Sequence, residues 1–143
     1  MSPNFMIQLA PGAEQVGLAL MLQDLIDQNL EQHPHKLADF KKLDIRIGLT
    51  VSDADIDLTL EFKAGDVMTI HAGIQGKPEL SIDTEAEIII ALSNQRIKWG
   101  LPYCFDETGH EIIAAIRSGR LKIKGMLTHL LSLIRLSRVM SVH

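Results

Sequence analysis

One cysteine, six aromatic residues and no apolar run of bilayer length: this chain of 143 residues is defined first by what it omits. A lone Cys104 has no intrachain disulfide partner, which points to a reducing setting rather than a secreted, cross-linked scaffold. No stretch approaches the ~18 apolar residues that a membrane-spanning helix needs. The opening "MSPNFMIQLAPG" carries no basic residue and no sustained apolar segment, so it does not read as a secretory leader. The expectation is a soluble, cytoplasmic protein.

Several chemistries are missing as well. Nothing matches G-x-G-x-x-G, G-x-x-x-x-G-K-[ST] or G-x-S-x-G, so nucleotide loops and a nucleophile elbow are unsupported. His33 and His35 flank a proline, the other histidines are scattered, and no Cys/His pairs have zinc spacing; no metal or other cofactor is expected. Asp53, Asp55 and Asp57 resemble the start of a calcium loop but lack its glycine and terminal glutamate, and read as a solvated strand face and turn. Cys104 has no histidine close by in sequence and reads as an inert buried thiol. With no nucleophile–base pair to name, the chain is expected not to be an enzyme.

What is present is aliphatic. Hydrophobic residues make up 46% of the chain and aromatic ones 4%, so the core must be built from Leu, Ile, Val and Met. A single domain over 1–143 is expected, of a size that buries roughly 68–70% of its unfolded surface. The net charge of −4 is polarised: residues 1–95 hold 15 acidic and 6 basic side chains, residues 96–143 hold 8 basic and 3 acidic. Either the basic part is a docking face for an anionic partner, or the two parts attract each other in the fold. Three strand charges, Arg120, Lys122 and Lys124, without interleaved aromatics, argue against nucleic acid.

Periodicity places the elements. Residues 1–43 form an N-terminal helical segment, in which Leu18, Leu22, Leu25, Ile26 and Leu30 give one amphipathic helix from Gly12 to Gln32. Strict alternation then predicts strands near 44–51, 54–62, 66–74 (with Ile74 inward) and 78–83, running as a meander with a hairpin turn at Lys63–Asp66. Three consecutive isoleucines in "TEAEIIIALSN" would suit a strand. Thr84 and Glu87, however, have capping-box spacing, which favours a helix at 85–93; the same box at Thr108 and Glu111 opens a helix at 109–118. "SGRLKIKGML" supplies a last strand at 120–124, with Leu121 and Ile123 on one side and the basic residues on the other. The final helix, Met126 to Met140, has apolar side chains over roughly 220° of its wheel. It needs two apolar neighbours: the sheet, and another helix, a lipid, a membrane or a second subunit.

Three stretches resemble the sterol-carrier-protein family of nonspecific lipid-transfer domains. "LTLEFKAGDV" (58–67) is similar to the family's lysine-x-glycine hairpin, and "PELSIDTEAEIIIAL" (78–92) to its strand and aliphatic helix. "SGRLKIKG" (118–125) is similar to its S-G-K-L-K-I-K-G signature in all but Arg120. The likeness spans about 44–140. Departures are the long aromatic segment 93–109 and Met126, where the family has an acidic or amide residue.

The resemblance implies an α+β fold: a five-stranded, mainly antiparallel sheet with helices on one face and an apolar tunnel between. It also implies a fatty acid, fatty acyl-CoA, sterol or similar ligand held without chemical change. The candidate lining is Ile88, Ile89, Leu92, Trp99, Phe105, Ile112, Ile116, Met126, Leu127, Leu130, Leu131 and Ile134, each of which suits plain core packing equally well. Arg120, Lys122 and Lys124 are the candidates for a transient anionic membrane contact. The competing reading is an interaction or accessory module, as a homodimer or as helper to an enzyme acting on isoprenoid quinones, with no stable lipid.

Overall fold

A sheet of six strands carries the helices, in a computed structural model that describes residues 5–63, 67–98 and 101–143. In chain order the elements are β1 (Met6–Leu9), α1 (Gly17–Gln32), α2 (Leu37–Lys42), β2 (Ile45–Val51), β3 (Ile56–Lys63), β4 (Val67–Ala72) and β5 (Leu80–Thr84). They continue with α3 (Ala86–Asn94), β6 (Ile97–Lys98), β7 (Leu101–Pro102), α4 (Glu107–Ser118), β8 (Lys122–Lys124) and α5 (Leu130–Met140). The sheet order is β1-β4-β3-β2-β5-β8, and β6 pairs antiparallel with β7 as a separate two-stranded sheet.

The α+β architecture is the expected one, with differences in the sheet. A sixth strand comes from "MIQL", which runs parallel to β4 ahead of the first helix. β5 does not extend the meander; it crosses over and pairs parallel with β2, with Ile47 opposite Leu80 and Val51 opposite Thr84. The crossover lets β5 take the open edge of β2, so its apolar face joins the same core. Three of the five pairings are antiparallel: β2 with β3, β3 with β4, and β5 with β8. β4 ends at Ala72, which leaves Ile74 exposed instead of inward. Of the turn expected at Lys63–Asp66, residues 64–66 lie outside the described residues; Lys63 itself belongs to β3 and pairs with Val67.

Alternation does what it predicts on the strands. Ile45, Ile47, Leu49 and Val51 are buried, as are Leu58, Leu60, Phe62, Met68, Ile70, Leu80 and Ile82. Against them pack Leu22, Ile26 and Leu30 of α1 and Phe40 of α2, whose ring meets Phe62 edge-on at 5.9 Å. The opposite face is polar. There Arg46 donates to Glu61 at 2.5 Å, and this hydrogen bond holds the Glu61 carboxyl below the usual carboxylate range although partial burial acts the other way.

The helix starts differ from the sequence expectation. α1 begins at Gly17, after a short 3-10 turn at Ala13–Gln15. Thr84 is not a cap, because pairing with Val51 holds it in extended backbone at the end of β5. The first turn of α3 is served from a distance: Asp53, in the β2–β3 turn, accepts from the Ala86 N–H at 3.0 Å. For α4 the cap is Asp106, which accepts from Gly109 N at 2.7 Å and displaces Thr108 into the first turn. The final helix starts at Leu130, since Met126–Thr128 form a turn.

Candidate functional site

The edge strand β8 positions the site. Its two lysines face away from the core, and Ile123, with Leu121 just before it, faces inward. Gly125 then redirects the chain toward α5 with φ of 88°, and a Cβ there would lie 2.2 Å from the Glu79 carbonyl oxygen. Only glycine tolerates both the left-handed backbone and that approach. Beyond this glycine α5 lies over the sheet, with a gap between Leu133, Leu136 and Met140 and the strand residues Leu49, Leu60 and Ile82.

That gap is apolar and has two parts. The inner one is a cavity of about 80 Å³ between sheet and helices, walled by Leu49, Leu60 and Ile82 below and by Ile89, Leu136 and Met140 above. The outer one is a groove of about 410 Å³ between α4 and α5, walled by Ile112, Ile113 and Ile116 on one side and Leu130 and Ile134 on the other. Leu92, Ile123, Leu133 and Ser137 line both, so the inner cavity and the outer groove adjoin across shared side chains. The inner part alone would hold a few groups of water size at ~30 Å³ each. The outer part has the size of a small-molecule site, about 300–1,000 Å³.

The polar atoms of the lining are few and neutral. Ser137 Oγ donates to the Ile134 carbonyl within α5 at 2.7 Å, so the hydroxyl is satisfied inside the helix. Gln95 and Cys104 also line the groove. There Gly109 lets the Cys104 backbone close on α4, since a Cβ at 109 would sit 2.6 Å from the Cys104 Cα. Among the described residues, no carboxylate, cation or imidazole lines either part. Among the described residues no group of His, Cys, Asp and Glu is arranged to hold a metal ion. Such a lining can desolvate an apolar molecule and offers little to transform one.

The sequence-nominated residues divide. Ile89 and Leu92 reach the inner cavity, and Leu92, Ile112, Ile116, Met126, Leu130 and Ile134 line the groove. Ile88 is fully buried core away from both. Phe105, Leu127 and Leu131 lie outside them and are exposed. Trp99 falls outside the described residues. The starting point of the last helix explains the placement of Leu127, because Met126–Thr128 form a turn ahead of it that leaves this side chain in solvent. Leu133, Leu136 and Met140 were not nominated, although their spacing of three and four marks the stripe of α5 that faces the sheet. The sheet residues Leu49, Leu60 and Ile82 carried no signal beyond strand alternation.

No family model and no curated protein matches this chain. Among solved structures, the UbiJ-SCP2 ubiquinone synthesis protein superposes with a TM-score of 0.59 at 16% identity, covering 89% of this chain and 97% of that one. The likeness shows a shared fold. Among the described residues, no helix is long and apolar enough to cross a membrane.

Proposed function

We propose that this protein binds one apolar lipid, with the tail in the inner cavity and the remainder along the α4–α5 groove, and holds it without chemical change. The observation that carries this reading is the adjacency of two apolar spaces that share Leu92, Ile123 and Leu133 as walls. Each methylene taken from water contributes about 0.8 kcal/mol, so an aliphatic lining is enough for affinity. A fatty acid, fatty acyl-CoA, sterol or prenyl chain satisfies that requirement. The fold likeness to a ubiquinone synthesis protein favours the prenyl case, in which the protein is an accessory that presents an isoprenoid quinone or its precursor to an enzyme.

Organic extraction of the purified protein followed by mass spectrometry, and displacement of an anthroyloxy-labelled fatty acid, test the reading. Leu133→Trp, at the junction, should reduce probe binding roughly tenfold while stability changes by less than ~1 kcal/mol, because the bulk enters space the ligand would occupy. A dry core would behave otherwise. Absence of any extractable lipid and of probe binding, with Leu133→Trp costing ~1–3 kcal/mol by overpacking, would overturn it.

A further inference from the structure

Among the described residues that line the α4–α5 groove, Gln95 brings the one carboxamide. It follows the last turn of α3 and is only 5% exposed, in a lining that otherwise includes Ile112, Ile116 and Ile134. Its main chain is occupied: the N–H donates to the Leu92 carbonyl at 3.4 Å, and the carbonyl accepts from Ser141 Oγ at 2.5 Å. Among the described residues no hydrogen bond reaches its side-chain amide. Buried amides are nearly always paired, because two N–H donors and a carbonyl lose water on burial. With the main chain engaged, the polar group that Gln95 has left to offer the groove is that amide.

Its position adds to this. Leu92, a wall of both the inner cavity and the groove, stands three residues before Gln95, whereas Gln95 lines only the groove. A tail lodged in the cavity therefore brings its other end into the space that Gln95 borders. The Ser137 hydroxyl, beside both spaces, already donates to the Ile134 carbonyl. Among the described residues no cation lines the groove, so a carboxylate or phosphate drawn into it would lose water without gaining a counter-charge. A hydroxyl or carbonyl loses less and finds a matched partner in the amide.

We infer that Gln95 selects the polar end of the ligand: its side-chain amide holds the hydroxyl or carbonyl of a neutral lipid, donating from Nε2 to the ligand oxygen or accepting from a ligand hydroxyl on Oε1. The inference rests on the lipid-binding reading and narrows it to uncharged lipids with a hydrogen-bonding end. Apolar sites take their orientation and specificity from a few placed polar groups, and Gln95 is that group here. A lipid without such an end leaves the amide unpaired, and that penalty is what discriminates against it.

Displacement of Nile red, an uncharged reporter of apolar sites, by dodecan-1-ol, 1-chlorododecane and laurate tests this. Gln95→Met keeps the length of the side chain and removes the amide. In that variant the affinity for dodecan-1-ol relative to 1-chlorododecane should fall roughly tenfold, the worth of one hydrogen bond made out of water. Gln95→Leu, of different shape, should show the same fall and serves where Gln95→Met folds poorly. A ratio unchanged from wild type, with Nile red still bound, overturns the role of Gln95 and leaves lipid binding standing. Laurate that binds the wild type as tightly as dodecan-1-ol, at a pH where the acid is ionised, overturns the restriction to neutral lipids. Wild-type protein that binds neither Nile red nor the anthroyloxy fatty acid removes the lipid reading and this inference with it.

Discussion

The two ends of α5 are built on opposite principles. At its C-terminal end the helix is clasped by polar groups from three other parts of the chain. Asn29 Nδ2 donates to the carbonyls of Val139 and Met140 at 2.9 and 3.1 Å, and Lys36 Nζ donates to that of Ser141. Val142 N donates to Ser93 O at 2.8 Å, and Arg138 pairs with Asp39 at 3.0 Å. The last carbonyls of a helix lack intrahelical partners, so these donors complete it. At the N-terminal end no side chain caps the helix, and Leu130 and Leu131 stand half in water. One end is anchored in the core and the other is an open wall of the groove. The lesson is that an apolar helix can be held firmly by one end, leaving the other to present a surface.

The largest expected difference between the ends is in packing. Leu136→Ala, at a buried position over the sheet, should cost about 2–5 kcal/mol in chemical denaturation, whereas Leu131→Ala should change stability by no more than about 0.5 kcal/mol. Equal costs would mean that both ends are buried alike. Asn29→Ala comes next: it strands two carbonyls, one of them deeply buried, and should cost about 1–3 kcal/mol. A neutral result would show that α5 does not depend on this clasp.

The smallest effect is a pH dependence. Burial lowers the Lys36 ammonium from its ordinary 10.5, although Asp39 opposes the shift. Between the lowered folded value and 10.5 the unfolded chain therefore binds more protons than the folded one. Stability should accordingly rise with pH through that alkaline window, as the penalty for a buried charge is relieved. Below the folded value the penalty is complete and constant. Denaturation midpoints followed across the alkaline range should show this rise in the wild type and lose it in Lys36→Met. An identical profile in both would place the proton uptake elsewhere.

Much of this architecture was legible in the chain. β2 and β3 face one core on one side and polar surroundings on the other, and a two-residue period states that directly at Ile45–Val51 and Ile56–Lys63. The helices at 86–94 and 107–118 also fell near their expected positions, though their caps did not. Asp53 caps a helix that begins 33 residues later, a partnership no local spacing reveals. Asp106, by contrast, had a local signal of its own, an aspartate three residues before Gly109, which the T-x-x-E pattern masked. "MIQL" is too short for its period to compete with the neighbouring helix, and it becomes a strand because β4 offers an edge.

Local side-chain chemistry alone thus determined an aliphatic α+β chain, its principal strands and helices, the glycine that ends β8, and the excess of apolar surface on α5. Tertiary structure decided where β5 crosses, which threonines lose their capping role, and which side of α5 meets the sheet. It also separated Leu133, Leu136 and Met140, turned inward, from Leu127 and Leu131, turned outward. The physical reason is that periodicity records which residues avoid water but not what replaces it. Whether the replacement is sheet, helix or lipid depends on which elements arrive alongside, and that is fixed by contacts far apart in the chain.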